Sequence, residues 1–92
     1  MIKTEIRIDI EDVRIYCINN ERFTRGNNTQ YEDMFEYIRK FNKTQNFEAL
    51  KNACMLIVKC SDLSAYNQTF DENINSIAYD LINSCGHTFI KF

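Results

Sequence analysis

The amino-terminal residues alternate between apolar and charged positions. From residue 2 to residue 10, isoleucine or threonine occupies every even position and a charged residue every odd one. This period of two is typical of a β-strand with one buried face. Asp9 is a favoured helix N-cap, and Val13, Cys17 and Ile18 follow on one helical face before two consecutive asparagines interrupt the pattern. The pattern therefore predicts a strand over 2–10 and a first helix directly behind it.

A surface loop and a second helix come next. Residues 21–29 contain a glycine and show no periodicity, which is typical of a loop, and Phe23 is predicted to tether this loop to the core. Thr29 and Glu32 have the spacing of a capping box. The apolar positions behind them recur at helical spacing and predict a second helix over 30–41: Tyr31, Met34, Phe35, Ile38 and Phe41.

The third helix is predicted after a polar connection over 42–46. Its apolar positions recur at helical spacing, and its second half is apolar on every side: Phe47, Leu50, Ala53, Cys54, Met55, Leu56, Ile57 and Val58. A helix without a polar face lies at the centre of a bundle or is covered by a partner chain. A buried strand over 54–58 is the alternative, because short apolar runs do not distinguish the two.

The remaining residues predict one or two helices and a final strand. Asp62 or Ser64 is a candidate cap for a short helix that ends near Phe70, with Leu63 and Tyr66 inward. Thr69 and Glu72 form a second capping box. An apolar stripe follows and leads to Gly86 as the predicted C-cap: Ile74, Ile77, Ala78, Leu81, Ile82 and Cys85. Residues 87–92 are rich in β-branched and aromatic residues and predict a strand beside the first one.

These elements predict an α+β fold. We expect a cluster of three to four helices with a small two-stranded sheet formed by the N- and C-terminal strands, in the order β-α-α-α-α-β. The chain has 92 residues and a mass of 11.0 kDa, so we expect a single domain over 1–92. A lone two-stranded sheet is marginal, and its strands must pack on the helices or pair with a second copy.

Composition narrows the functional classes. Hydrophobic residues make up 45% of the chain, which argues against disorder. The longest apolar run, 53–58, is far shorter than the about 20 residues of a membrane span, so we expect a cytoplasmic protein with no membrane partner. Two glycines and no proline exclude the usual phosphate-binding loops. A net charge of −2 does not favour direct nucleic-acid binding.

The four cysteines and the one histidine are the first candidates for chemistry. Their spacing does not match a zinc site, and Cys17, Cys54 and Cys85 fall on apolar helix faces, which predicts core packing. Cys85 with His87 is a poor nucleophile and base pair, because a helix C-terminus disfavours a thiolate. The paired carboxylates are explained by helix caps and by a Glu36–Lys40 pair. The sequence therefore predicts no catalytic residue, no metal and no cofactor.

Surface charge supplies the candidate contact residues. The middle of the chain carries one acidic group and the C-terminal third a second one, while two arginines flank Phe23 in the first loop. The alternatives are ordinary solvated charges and a loop merely anchored by Phe23. The candidate partner-binding residues are Glu32, Asp33, Glu36, Asp62, Asp71, Glu72, Asp80, Arg22, Phe23 and Arg25.

The whole chain resembles the small accessory proteins of phages and mobile elements of low-GC bacteria. Its size, its abundance of residues with AT-rich codons and its lack of catalytic motifs carry this resemblance. Some such proteins are anti-CRISPR or other host-takeover inhibitors. The resemblance implies a non-enzymatic binding module that occludes a host protein such as a CRISPR nuclease.

Two other functional classes stay open. One is a small DNA-binding regulator that dimerises through its strand edge or its third helix and touches DNA through Arg22 and Arg25. The other is a small enzyme that uses Cys85 or a carboxylate pair.

Overall fold

The computed structural model describes residues 3–61 and 70–91. The described elements are β1 (Lys3–Ile8), α1 (Ile10–Asn19), α2 (Asn28–Thr44), α3 (Phe47–Lys59), α4 (Phe70–Cys85) and β2 (Gly86–Lys91). β1 and β2 form an antiparallel two-stranded sheet. This confirms the predicted α+β class and the β-α-α-α-α-β order. The predicted short helix with Asp62 or Ser64 as its cap, and Thr69 of the second capping box, lie outside the described residues.

The first helix begins where the sequence predicts. Asp9 is the N-cap, and its Oδ1 accepts hydrogen bonds from the backbone N–H groups of Glu11 (2.9 Å) and Asp12 (3.3 Å). Cys17 is buried on the inner face, but Ile18 is 67% exposed, so its prediction as a core residue is wrong. One residue turns an α-helix by about 100°, which carries Ile18 from the buried stripe to the solvent side.

The second helix is longer than predicted at both ends. Its N-cap is Asn27, which forms a capping box with Gln30, so the predicted Thr29–Glu32 box is wrong. Asparagine caps a helix at least as well as threonine, and the chain uses the Asn27–Gln30 pair, which comes two residues earlier in the sequence. The helix continues through Thr44 and ends at Gln45, whose φ of 58° is left-handed. The predicted connection over 42–46 is thereby reduced to residues 45 and 46.

The third helix lies at the centre of the helical cluster. α3 packs against both α2 and α4, and its residues 54–58 are helical, which decides against the alternative of a buried strand. Leu50, Cys54 and Ile57 are fully buried. α3 begins at Phe47, but the Phe47 side chain is 38% exposed, so its prediction as part of the buried apolar face is wrong. The apolar second half of α3 is therefore buried at Ala53, Cys54, Ile57 and Val58, while Met55 and Leu56 stay half-buried.

The fourth helix continues directly into the second strand. The predicted apolar stripe of α4 is confirmed, with Ile77 and Leu81 almost completely buried. α4 ends at Cys85, directly before the predicted C-cap Gly86, but Gly86 has no positive φ. It is the first residue of β2, where an added Cβ would lie 2.4 Å from the carbonyl oxygen of Ile82. A close backbone approach, rather than a special dihedral angle, explains the glycine.

The sheet departs from the simple two-faced pattern. Ile8 is buried as predicted, but strand β1 spans only Lys3–Ile8, and Glu5 is 9% exposed on the face predicted to be polar. Phe89 is directly opposite Glu5 in the strand register. Opposed residues of antiparallel strands share a face, so this face carries an aromatic residue beside its charged ones.

Buried side chains from β1 and all four described helices form one cluster. The four cysteines are buried within it as free thiols, as predicted for core packing. Over the described residues, no helix combines the length and the apolar character that a membrane crossing requires.

Candidate protein-interaction surface

α2 presents a charged side to solvent. Its inner side chains, among them Phe35 and Ile38, are buried. Outward, the predicted acidic group of Glu32, Asp33 and Glu36 is exposed on the first half of the helix. Because α2 begins at Asn28, none of these carboxylates lies in the first helical turn, so helix capping does not account for them.

Three cations follow the acidic group along the same helix, and a tyrosine lies between the two sets. Six of these side chains line a shallow depression: Asp33, Glu36, Tyr37, Arg39, Lys40 and Lys43. These six residues and Glu32 are here named the α2 face. Glu36 Oε1 lies 2.6 Å from Arg39 Nη1, so the predicted pairing of Glu36 with Lys40 is replaced by one with Arg39. Tyr37 is 36% exposed. The face is therefore acidic at one end, basic at the other and aromatic in the middle.

A groove between α1 and α2 adjoins this face. It is lined by Arg14, Ile18, Asn28, Tyr31 and Glu32, and Glu32 directly precedes Asp33 of the α2 face. The guanidinium of Arg14 lies 5.9 Å from the centre of the Tyr31 ring, which places a cation over an aromatic wall. The exposed Ile18 adds apolar area to this charged surface. Sequence reasoning missed this contribution because it assigned Ile18 to the core.

The first loop is anchored as predicted. The Phe23 ring is 3% exposed and lies 4.1 Å, centre to centre, from that of Tyr31. Its backbone N–H donates to Ser61 Oγ at 2.8 Å, and it adopts a left-handed φ of 62°. An added Cβ on Gly26 would lie 2.0 Å from the same ring. Phe23 therefore belongs to the core, and its prediction as a surface contact is corrected.

Two residues predicted as separate contacts lie beside the same tyrosine. The Tyr16 hydroxyl donates to Asp80 Oδ2 at 3.1 Å. Burial, followed by the nearby Asp80 carboxylate, raises the pKa of Tyr16 to about 12, and the Arg22 guanidinium opposes this rise. Arg22 and Asp80 therefore both lie near the Tyr16 hydroxyl, with opposite effects on its pKa. Their arrangement links α1, the loop and α4.

The other predicted contact residues are dispersed. Arg25 is exposed, and its backbone N–H ties the loop to the Cys60 carbonyl at 2.6 Å. Asp62 lies outside the described residues. At Asp71 and Glu72 the structure describes the backbone of α4 and not the side chains. Among the predicted contacts whose side chains the structure describes, Glu32, Asp33 and Glu36 lie on one face of α2, whereas Arg22, Arg25 and Asp80 belong to the first loop and α4.

A second small cluster joins α1 to the sheet. Asp9, Asp12 and His87 each offer a ligand atom within 4.8 Å of the other two, so they have the geometry to hold a metal ion. His87 Nε2 lies 3.8 Å from Asp12 Oδ2. One Asp9 oxygen is already the cap of α1, and Asp9 is exposed. The N-cap role of Asp9 and the contact between His87 and Asp12 account for this cluster.

The thiols are poorly suited to nucleophilic chemistry. Burial raises the pKa of Cys85 to about 11 and the pKa values of Cys17 and Cys54 to about 12. Thiols with such pKa values are protonated near neutral pH, and the thiolate is the reactive form. His87 points its ring nitrogen toward Asp12 and lies on the exposed side of the sheet.

The chain matches no protein-family model, no curated protein and no solved structure. Its function is therefore inferred from its own surface. Besides the α2 face and the adjoining groove, large exposed apolar side chains lie in three places among the described residues. Ile15 is 52% exposed on α1. Phe47 and Tyr79 have ring centres 6.4 Å apart on α3 and α4, and Phe89 and Ile90 lie on β2.

Proposed function

We propose that this protein is a non-enzymatic binding module that acts by covering a surface of a larger protein. The observation that carries the proposal is the α2 face, where the accessible ring of Tyr37 lies between carboxylates with no capping role and a group of cations. Aromatic residues and arginine concentrate binding energy in protein interfaces. The adjoining groove adds the exposed Ile18, so charged and apolar contacts are available side by side.

The charge order on the α2 face suggests the chemistry of the partner. Its acidic half complements a basic surface, and its cations complement acidic residues beside that surface. Proteins that hold nucleic acid present basic grooves of this kind. Together with the resemblance to phage accessory proteins, this supports an inhibitor of a host defence nuclease, such as a CRISPR effector, that acts in the bacterial cytoplasm.

A binding titration with purified CRISPR effector nucleases of low-GC bacteria tests this proposal. The triple variant Glu32→Gln, Asp33→Asn, Glu36→Gln neutralises the acidic half without adding cations, and little loss of stability is expected because the first helical turn is unchanged. We expect binding and inhibition of DNA cleavage by the wild-type chain. The variant should bind at least about tenfold more weakly, which corresponds to about 1.4 kcal/mol. Its affinity should also depend less on salt concentration.

A matched control removes acidic charge elsewhere. Glu11 and Glu48 are exposed residues in the first turns of α1 and α3, so the variant Glu11→Gln, Glu48→Gln lowers the charge away from the α2 face. Its affinity should stay close to that of the wild type. Equal losses in both variants would show that net charge, rather than the α2 face, controls binding. Binding of duplex DNA by the isolated chain, or no effector bound, would contradict the proposal.

A further inference from the structure

The two edges of the small sheet differ in their hydrogen bonding. On the outer side of β1, Gln45 Oε1 accepts from the Ile6 N–H at 2.8 Å, and Gln45 Nε2 donates to the Ile6 carbonyl at 2.7 Å. Asn42 makes the same pair of bonds to Ile8, at 2.8 and 3.0 Å. These side-chain amides take the place of a neighbouring strand. The β1 edge is therefore closed at Ile6 and Ile8.

The pairing register shows where the backbone groups of β2 point. Ile6 is opposite Thr88, and Ile8 is opposite Gly86. Because Ile6 and Ile8 direct their N–H and C=O groups toward α2, these are the non-hydrogen-bonded pairs of the antiparallel ladder. In such a pair both residues direct their backbone groups away from each other. Gly86, Thr88 and, by alternation, Ile90 thus direct theirs to the outer side of β2.

That outer side is open within residues 3–61 and 70–91. No hydrogen bond from these residues reaches the outward groups of Thr88 or Ile90. The side chains of Phe89 and Ile90 are 46% and 60% exposed. Proteins usually protect a sheet edge with proline, a bulge, charged side chains or a covering element. β2 contains no proline, and its one lysine is its last residue, Lys91.

We propose that β2 pairs antiparallel with β2 of a second copy of this chain, about a two-fold axis at Thr88. Thr88 is then opposite Thr88 of the second copy, and Gly86 is opposite its Ile90. This register uses all the outward backbone groups and forms about six hydrogen bonds. It continues the sheet into four strands and covers the open edge of both copies. The proposal is independent of the α2 face.

Three features favour a second copy as the occupant. An antiparallel pair of identical strands is self-complementary, so the chain itself supplies the partner. In the proposed register no basic residue of β2 is opposite another basic residue, because His87 is opposite Phe89 and Lys91 is opposite Cys85. The amides of Gln45 and Asn42 also occupy the outer backbone groups of Ile6 and Ile8 in both copies, which disfavours a further strand beside β1 and limits the association to two copies.

Sedimentation equilibrium of the full chain tests the association. We expect the mass to rise from 11.0 kDa toward twice that value as the concentration increases. A short interface of this kind is weak, so the range should run from about 10 μM to about 1 mM. Thr88→Pro removes an outward N–H and should abolish the rise, whereas Thr88→Ala keeps the backbone bonds and should preserve it. Ile90→Lys is a second blocking variant if the proline variant fails to fold.

A cysteine cross-link tests the register. Hydrogen-bonded opposite residues have Cα atoms about 5.5 Å apart, which suits a disulfide. Thr88→Cys should therefore form a covalent dimer under mild oxidation, while Ser76→Cys, on the exposed side of α4, should not. The native thiols are buried and do not compete. A constant mass of 11.0 kDa at every concentration, or equal cross-linking of both variants, would overturn the proposal.

Discussion

Replacing Asn42 by alanine removes both hydrogen bonds between α2 and the Ile8 backbone. The two bonds measure 2.8 and 3.0 Å and are partly buried. A protein hydrogen bond contributes about 1 kcal/mol net, so the two together contribute about 2 kcal/mol. Alanine is the better helix former, which returns about 0.6 kcal/mol in the last turns of α2. We expect Asn42→Ala to lower the free energy of unfolding by about 1 to 1.5 kcal/mol, or about 5 to 10 °C in melting temperature.

Urea unfolding followed by circular dichroism measures this change, and Asn83→Ala is the matched control. Asn83 is an exposed residue of α4 whose side chain makes no hydrogen bond to the described residues. Its replacement should stabilise the chain slightly, through helix propensity alone. If Asn42→Ala is as stable as Asn83→Ala, the side-chain amides do not hold β1 and the reasoning is refuted.

Other predictions address the core and its titration. Phe23→Ala should cost about 3 to 5 kcal/mol of stability in urea unfolding, whereas the exposed neighbour change Thr24→Ala should be nearly neutral. Gly86→Ala should lower the melting temperature, because its Cβ would meet a helix carbonyl oxygen at 2.4 Å; an unchanged value would contradict this. Burial raises the pKa values of Cys17 and Cys54 from 9.0 to about 12. The thiols of the unfolded chain therefore ionise at a lower pH than those of the folded chain. Stability should be complete below about pH 9 and fall as the pH rises toward 12, and a constant melting temperature from about pH 8 to 11 would exclude this effect.

Much of the fold could be predicted because its signals are local. The strand alternation before Asp9, the cap at Asp9 and the apolar stripe of α4 each involve residues within a few positions of one another. Local signals failed where two of them competed. Asn27 and Thr29 are both good N-caps, and the chain uses Asn27. Asn27 follows two residues after Arg25, whose backbone N–H holds the loop to the Cys60 carbonyl.

The candidate surface could be predicted only in part. Glu32, Asp33 and Glu36 are predicted from their charge, and an exposed helix face does bring them together. The anchoring of the loop by Phe23 is also predictable, but its partner Ser61 is not, because Ser61 lies 38 residues away in sequence. The same holds for Asp80, whose partner Tyr16 lies 64 residues away. Composition marks such residues as aromatic or acidic, and tertiary contacts determine whether they face solvent.

The sequence by itself determined the class and order of the elements, because periodicity and capping depend on neighbours within one or two turns. Only the tertiary structure decided the two edges of the sheet. Asn42 and Gln45 read as a polar connection in the sequence, yet they bind β1 residues 34 and 39 positions away. A side-chain amide carries the same donor and acceptor whether it meets water or a strand, so its role emerges only when folding brings the strand to it.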